Sequence, residues 1–254
     1  MPISSNTLIH FTNSKEKLKS IFLENFRLGY CKEKHVIGDE ETSAHVPMVS
    51  FCDIPLSQIK DHVSKYGNYG IGLTREWGIR NKLNPVLYVE KSSLFSQSFR
   101  MAANFFLTKA QQDMETVIRD EDYFNAVNAL GEMLSYVKNY QANLTRKNDT
   151  VLEYRFADER EWRFVPPSQG GITQIMSDEA FASDAGKAKA KYLIDTYRLE
   201  FEPNDIKYVI IRDESEIREF IEHLRYAKQK KYSSEDIDRL TTRILTTEQI
   251  KQDF

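Results

Sequence analysis

The stretch Phe156–Pro167, FADEREWRFVPP, sets Glu159 and Glu161 two residues apart beside Trp162 and Phe164, then stops at a double proline. Side chains alternate along an extended strand, so Glu159, Glu161, Arg163 and Val165 share one face and Asp158, Arg160, Trp162 and Phe164 the other. Carboxylates about 7 Å apart on one face raise each other's pKa unless a cation compensates, and Arg163 stands on that face to do so. Two such carboxylates are costly for stability, a cost that is tolerable if one of them must face a cation formed during a reaction. A solvated edge strand carrying salt bridges explains the same pattern.

Two further segments offer binding chemistry. In LIHFTN, His10 alternates with Ile9 and Phe11 and shares its face with Thr12, a pair able to hydrogen-bond a ribose or an amide. In VSFCDIPLSQIKDHVSKYGNYGIGLT, Ser50 alternates with Val49 and Phe51, and Tyr66 and Tyr69 lie among Gly67, Gly70 and Gly72. Glycine permits close approach to the backbone and tyrosine gives a flat ring with a hydroxyl, which together suit a heteroaromatic ligand. A tight turn whose tyrosines cap the core is the alternative.

Three regions must position these residues. Residues 1 to about 91 alternate short β-like runs with short helices. Leu18, Ile21, Phe22 and Phe26 predict a helix over 14–27, opened by an Asn13/Glu16 capping box and closed at Gly29. From about 92 to 150 the chain has no proline and one glycine, and Phe124, Val127, Leu130, Leu134 and Val137 share a helical stripe. That pattern predicts a pair of amphipathic helices as an insert. From about 151 to 211 β character returns in TVLEYRFADEREWRFV, KYLIDT and IKYVIIR, with a loop rich in glycine and small residues over 166–190. A helical tail over about 213–254 follows, with Asp213 as cap and Ile217, Phe220, Ile221 and Leu224 as a stripe. No G-x-G-x-x-G or P-loop signature follows any strand, which argues against a doubly wound sheet. The reading is one α+β domain over 1–254, a split mixed or antiparallel β core with inserted helices.

The composition narrows the function. The chain has 254 residues, 41% of them hydrophobic, with 35 Lys plus Arg against 38 Asp plus Glu and a net charge of −3. Interspersed charge of this balance disfavours a general phosphate-gripping protein. No apolar run is long enough to span a bilayer and the N-terminus has no secretory pattern, so a cytoplasmic location is expected. Cys31 and Cys52 are far apart and read as ordinary free thiols. A nuclease would need Asp53, Asp61 and His62, with Glu159 and Glu161 as further ligands, but no metal-binding spacing supports it.

A strand His, a central Ser and Tyr, and a late Glu-x-Glu occur in an order that resembles the ADP-ribosyltransferase superfamily. In its His-Tyr-Glu branch, the His holds the adenosine-side ribose of NAD, the Tyr stacks on nicotinamide and the Glu engages the nicotinamide ribose. LIHFTN, VSFCDIPLSQIKDHVSKYGNYGIGLTREWG, NPVLYV, DEREWRFVP and the closing ILTTEQIKQDF also resemble the bacterial AbiGi family of phage-defence proteins. That family is often described as the antitoxin of a two-gene abortive-infection pair, and the resemblance spans nearly the whole chain.

The resemblance implies a β core of ADP-ribosyltransferase type and NAD as substrate. It implies Glu161 as the catalytic carboxylate, with Glu159 as its alternative or substrate-orienting partner. The pocket would hold His10, Thr12 and Ser50, with Tyr66 or Tyr69 as the stacking ring. The partner would be a macromolecular acceptor, protein or nucleic acid, with a phage-derived trigger, or a cognate toxin or antitoxin for a member without catalysis. Phe11 stands where the branch commonly has a glycine after the His.

Overall fold

The computed structural model describes residues 5–112, 120–146, 149–168, 174–229 and 232–253. Its strands are β1 (Thr7–Thr12), β2 (Phe26–Arg27), β3 (Gly29–Ile37), β4 (Glu40–Cys52), β5 (Tyr69–Thr74), β6 (Asn84–Pro85) and β7 (Leu87–Val89). They continue with β8 (Val137–Asn139), β9 (Gln141–Arg146), β10 (Asp149–Arg155), β11 (Glu161–Phe164), β12 (Arg198–Leu199), β13 (Ile206–Ile211) and β14 (Ile244–Thr246). The main sheet runs β14-β13-β5-β1-β4-β11-β6, with β3 paired to β4 as a long hairpin. β13 and β14 run parallel and the other neighbours in this sheet antiparallel, so the protein is mixed α/β with a mixed sheet.

Both faces of the sheet are apolar, because neighbouring strand residues point opposite ways and each finds a helix. Leu8, Ile71, Leu73 and Val209 pack with Leu18 and Phe22 of the helix Lys15–Glu24 and with Phe220 and Leu224 of the helix Ile217–Lys228. Their chain neighbours Ile9 and Ile210 pack instead with Ile59, Val63 and Ile250. Trp77, wholly buried, fills the first core and donates its indole N–H to the Glu200 carbonyl at 2.9 Å.

Several local expectations are corrected. Ser14, not Asn13, caps the first helix by accepting from the Lys17 N–H. That helix ends at Asn25 with φ 66°, not at Gly29, which opens β3. Two helices do follow β7, Leu94–Gln112 and Glu121–Leu134, but they end before Val137, and residues 137–155 form β8, β9 and β10. Much of 166–190, read as loop, is helical, and KYLIDT ends the helix Asp184–Thr196 and is not a strand. Residues 169–173 of that loop lie outside the described ones. Ser177 and Ser183 cap its two helices, and a Cβ on Gly186 would lie 1.9 Å from the Ala180 carbonyl oxygen, so small residues here serve helix packing. Asp213 caps a single 3-10 turn, Glu214–Glu216, that leads into the helix Ile217–Lys228.

The glycines beside the tyrosines are explained by the protein's own chain. Gly70 leaves room for the Phe11 ring, and Gly72 for Tyr208 and the Thr7 methyl. Gly67 has φ +116°, and a Cβ there would lie 2.4 Å from Asn13 Cα and 2.5 Å from the Thr12 carbonyl oxygen. Backbone strain and overlap with backbone atoms then act together, so Gly67→Ala is expected to cost more than about 1 kcal/mol. Urea denaturation measures it, and an unchanged midpoint would refute the assignment.

Candidate functional site

β1 lies along β5 through all of Thr7–Thr12, yet meets β4 in register only at Ile9↔Cys52. β11 continues the pairing on the other side of β4, from Glu161↔Cys52 to Phe164↔Val49. The two central strands therefore part beyond Ile9, and a cavity of about 970 Å³ lies at the parting. His10, Ser50, Tyr66, Glu159 and Glu161 all line it, although they come from β1, β4, the helix Lys60–Tyr66, a 3-10 turn and β11. Two expected members do not. Tyr69 is buried in the core against Phe220 and donates its hydroxyl to Glu216 Oε1 at 2.9 Å. Thr12, its register partner on β1, is likewise buried and outside the cavity lining.

His10 lies half-buried between the rings of Phe26 and Phe51, with centroids at 5.3 and 5.7 Å. Burial lowers its pKa, so the imidazole is neutral near pH 7. Its Nδ1 lies 2.8 Å from the Ser50 carbonyl oxygen, which can only accept, so Nδ1 carries the proton and Nε2 is left as an acceptor. A neutral acceptor of this kind suits a sugar hydroxyl.

The two glutamates converge by a geometry that strand alternation does not give. Glu159 ends a 3-10 turn, Phe156–Glu159; Arg160 adopts the left-handed conformation at φ 46°, and the strand begins only at Glu161. Lys138 of β8 then donates to both, 3.0 Å to Glu159 Oε2 and 2.8 Å to Glu161 Oε2. Tyr66 donates its hydroxyl to Glu159 Oε1, and Tyr154 does so at 3.0 Å.

Arg163, wholly buried, donates to Glu161 Oε1 at 2.7 Å, to Glu33 Oε2 at 2.8 Å and to the Ser135 carbonyl at 2.8 Å. The Glu161 N–H donates to the Tyr88 hydroxyl at 2.9 Å. Lys138, Tyr88 and Glu33 carry no local sequence signal, because their partners lie 21 to 130 residues away in the chain. Lys138 was further obscured by lying next to the apparent helical stripe at Val137.

Burial opposes the charge on Glu161, but Arg163 and Lys138 outweigh it and hold the carboxyl at about 2. Burial likewise disfavours the Lys138 ammonium, and Glu161, Glu159 and Glu33 raise it above its usual range. The sign of the linkage follows. A carboxyl depressed in the folded state stabilises the fold above its unfolded pKa, near 4.3, and loses that contribution as pH falls toward 2. The stability gap between wild type and Glu161→Gln is therefore expected to narrow between about pH 5 and pH 2. Urea denaturation across that range checks it, and a gap independent of pH would contradict it.

Among the described residues no group of three or more His, Cys, Asp and Glu is placed to hold a metal ion. Of the residues considered for a nuclease, Asp53 accepts from Arg75 at 2.7 Å and from the Ser5 N–H at 2.7 Å and does not line the cavity. The side chain of Asp61 lies outside the described ones. Cys31 and Cys52 are free thiols.

A family model described as "Putative abortive phage resistance protein AbiGi, antitoxin" matches residues 24–212. The chain belongs to the AbiGi family. The match spans β3, β4, the helix Lys60–Tyr66, β8 and β11, so most of the cavity wall is AbiGi sequence. Abortive phage resistance protein AbiGi of Lactococcus lactis subsp. cremoris is 26% identical over 226 residues, covering 83% of this chain and 89% of that protein. No solved structure matches the chain. Among the described residues no helix is long and apolar enough to cross a membrane.

Proposed function

We propose that this AbiGi protein acts in phage defence as an NAD-dependent ADP-ribosyltransferase of the His-Tyr-Glu type, with the cavity at the β1/β4 parting as its NAD site. The single observation that carries the reading is the meeting of His10, Tyr66, Glu159 and Glu161 around one cavity, from positions up to 151 residues apart in the chain. Its volume, about 970 Å³, lies at the upper end of the range of small-molecule sites and suits a dinucleotide. Phe11, the departure from the branch pattern, packs over Gly70, and its ring centroid lies 6.4 Å from that of His62.

In this reading the neutral His10 accepts from a ribose hydroxyl and Tyr66 stacks on nicotinamide. Glu161 faces the ribose carbon, and Glu159 orients the substrate. The C1′–N bond breaks with its electron pair leaving on nicotinamide. A lone pair of the acceptor forms the new bond to C1′, and the acceptor's proton passes to water. The negative charge of Glu161 stabilises the oxocarbenium-like transition state by fixed electrostatics. The acceptor is a protein or nucleic acid, the setting is the cytoplasm, and a phage product is the trigger. Incubation with labelled NAD and lysates of infected and uninfected cells tests this. Wild type is expected to label a macromolecule and His10→Ala to lose that label; equal labelling by both would remove the proposed role of His10.

A second reading, a non-catalytic antitoxin that neutralises a neighbouring gene's product, is favoured by the complete pairing of Glu161 with Arg163 and Lys138. The description of the matching family, an antitoxin, points the same way. Leu94, Phe95, Met101 and Phe105, exposed on the helix Leu94–Gln112, supply apolar surface for such a partner. Expression of each gene alone and together discriminates: toxicity of this chain alone, relieved by the neighbour, excludes the antitoxin role.

A further inference from the structure

Lys138 is placed unlike an ordinary structural cation. Its ammonium lies between Glu159 and Glu161, and 4.8 Å from the centroid of the Phe156 ring, so two carboxylates and an aromatic face form a cage around it. Rings and carboxylates arranged in this way recognise cationic groups in general. All four residues line the cavity, so the cage opens where a ligand would enter. Arg163 differs: it is wholly buried, outside the cavity lining, and fixed to Glu161, Glu33 and the Ser135 carbonyl.

The charge count favours a cation in this cage. Three carboxylates, Glu33, Glu159 and Glu161, face two cations, Arg163 and Lys138, leaving 2 − 3 = −1 with Lys138 in place and 1 − 3 = −2 without it. Lys138 stands on β8, only three residues long, whose strand pairing is a parallel ladder to β7. A flexible four-carbon stem carries its charge, and such a stem can swing where an arginine fork would not.

We propose that Lys138 is an internal placeholder: its ammonium occupies the subsite that takes a cationic ring or ammonium group of the ligand, and it must leave for that group to bind. This rests on the cavity being the NAD site and adds a specificity rule, recognition of the positively charged nicotinamide ring over its uncharged reduced form. A self-occupied site also keeps the resting protein weak in binding cationic groups, since such a group must displace an ammonium already held by two carboxylates.

Titration calorimetry of wild type, Lys138→Gln and Lys138→Arg with NAD, NADH and 1-methylnicotinamide tests it. Lys138→Gln keeps donors for both carboxylates while removing the charge, and is expected to bind NAD and 1-methylnicotinamide at least 10-fold tighter than wild type, with NADH unchanged. Lys138→Arg keeps the charge in a fork that grips both carboxylates and is expected to bind NAD more weakly than wild type. That arm remains readable if Lys138→Gln does not fold.

NAD binding unchanged in both variants, or NADH gaining as much as NAD, overturns the placeholder while leaving the NAD reading intact. Tighter 1-methylnicotinamide binding by Lys138→Gln with no dinucleotide binding supports the cation subsite and overturns the NAD reading. No binding of any probe by any of the proteins overturns both.

Discussion

Arg163→Met is expected to lower stability by about 3–5 kcal/mol, because it deletes one partner of a buried ion pair and strands the others. Arg163 is wholly buried, and its loss leaves Glu161, Glu33 and the Ser135 carbonyl without bonds of 2.7, 2.8 and 2.8 Å. Methionine fills comparable volume, so the cost is electrostatic and not a cavity. For a chain of this size the melting temperature should fall by roughly 6–20 °C. Adding Glu161→Gln to Arg163→Met should recover part of the loss, since an amide left alone costs less than a buried charge. A loss under 1 kcal/mol, or no recovery in the double variant, would show that the Glu33–Arg163–Glu161 chain does not hold β11 and β3 together.

The second large effect is on chemistry. Glu161→Gln is expected to reduce transfer from NAD by about 100- to 1000-fold, the usual cost of removing one preorganised electrostatic group. The amide keeps the shape of the carboxyl and can still bond, so the Glu33–Arg163 pair should keep β11 in place. Glu159→Gln, with its tyrosine partners intact, is expected to raise the KM for NAD more than it lowers kcat, as an orienting group would. Equal transfer by wild type and Glu161→Gln, both verified as folded, would restrict Glu161 to a structural role.

Much of the site was legible because local chemistry specified it. The alternation around His10 and Ser50 and the strand at YGIGLT follow from period-two patterning, and the structure places all three as strands. Arg163 was legible as the compensating cation, since it lies two residues from Glu161 on the same strand face. The Glu159–Glu161 pairing was legible in outcome but not in geometry. A left-handed Arg160 is invisible to an alternation rule, and it is this residue that turns the 3-10 turn into β11.

Other features were hidden for the same kind of reason. Choosing between Tyr66 and Tyr69 required knowing where the core lies, and Tyr69 is claimed by Phe220 and Glu216 from the C-terminal helical region. The helix Asp184–Thr196 was masked by glycine and serine counts, although Ser183 is a good N-cap and alanine the strongest helix former. Lys138 was hidden because its partners lie 21 and 23 residues away, across two other strands.

The central claim is spatial: β1 and β4 part to form one ligand site whose walls carry His10, Tyr66, Glu159 and Glu161. A crystal structure grown with a non-hydrolysable NAD analogue tests it most directly. The account predicts the analogue between β1 and β4, a ribose hydroxyl within hydrogen-bonding distance of His10 Nε2 and the nicotinamide end beside Tyr66 and Glu161. An analogue bound elsewhere on the protein, or a cleft that stays empty at saturating ligand, would contradict it.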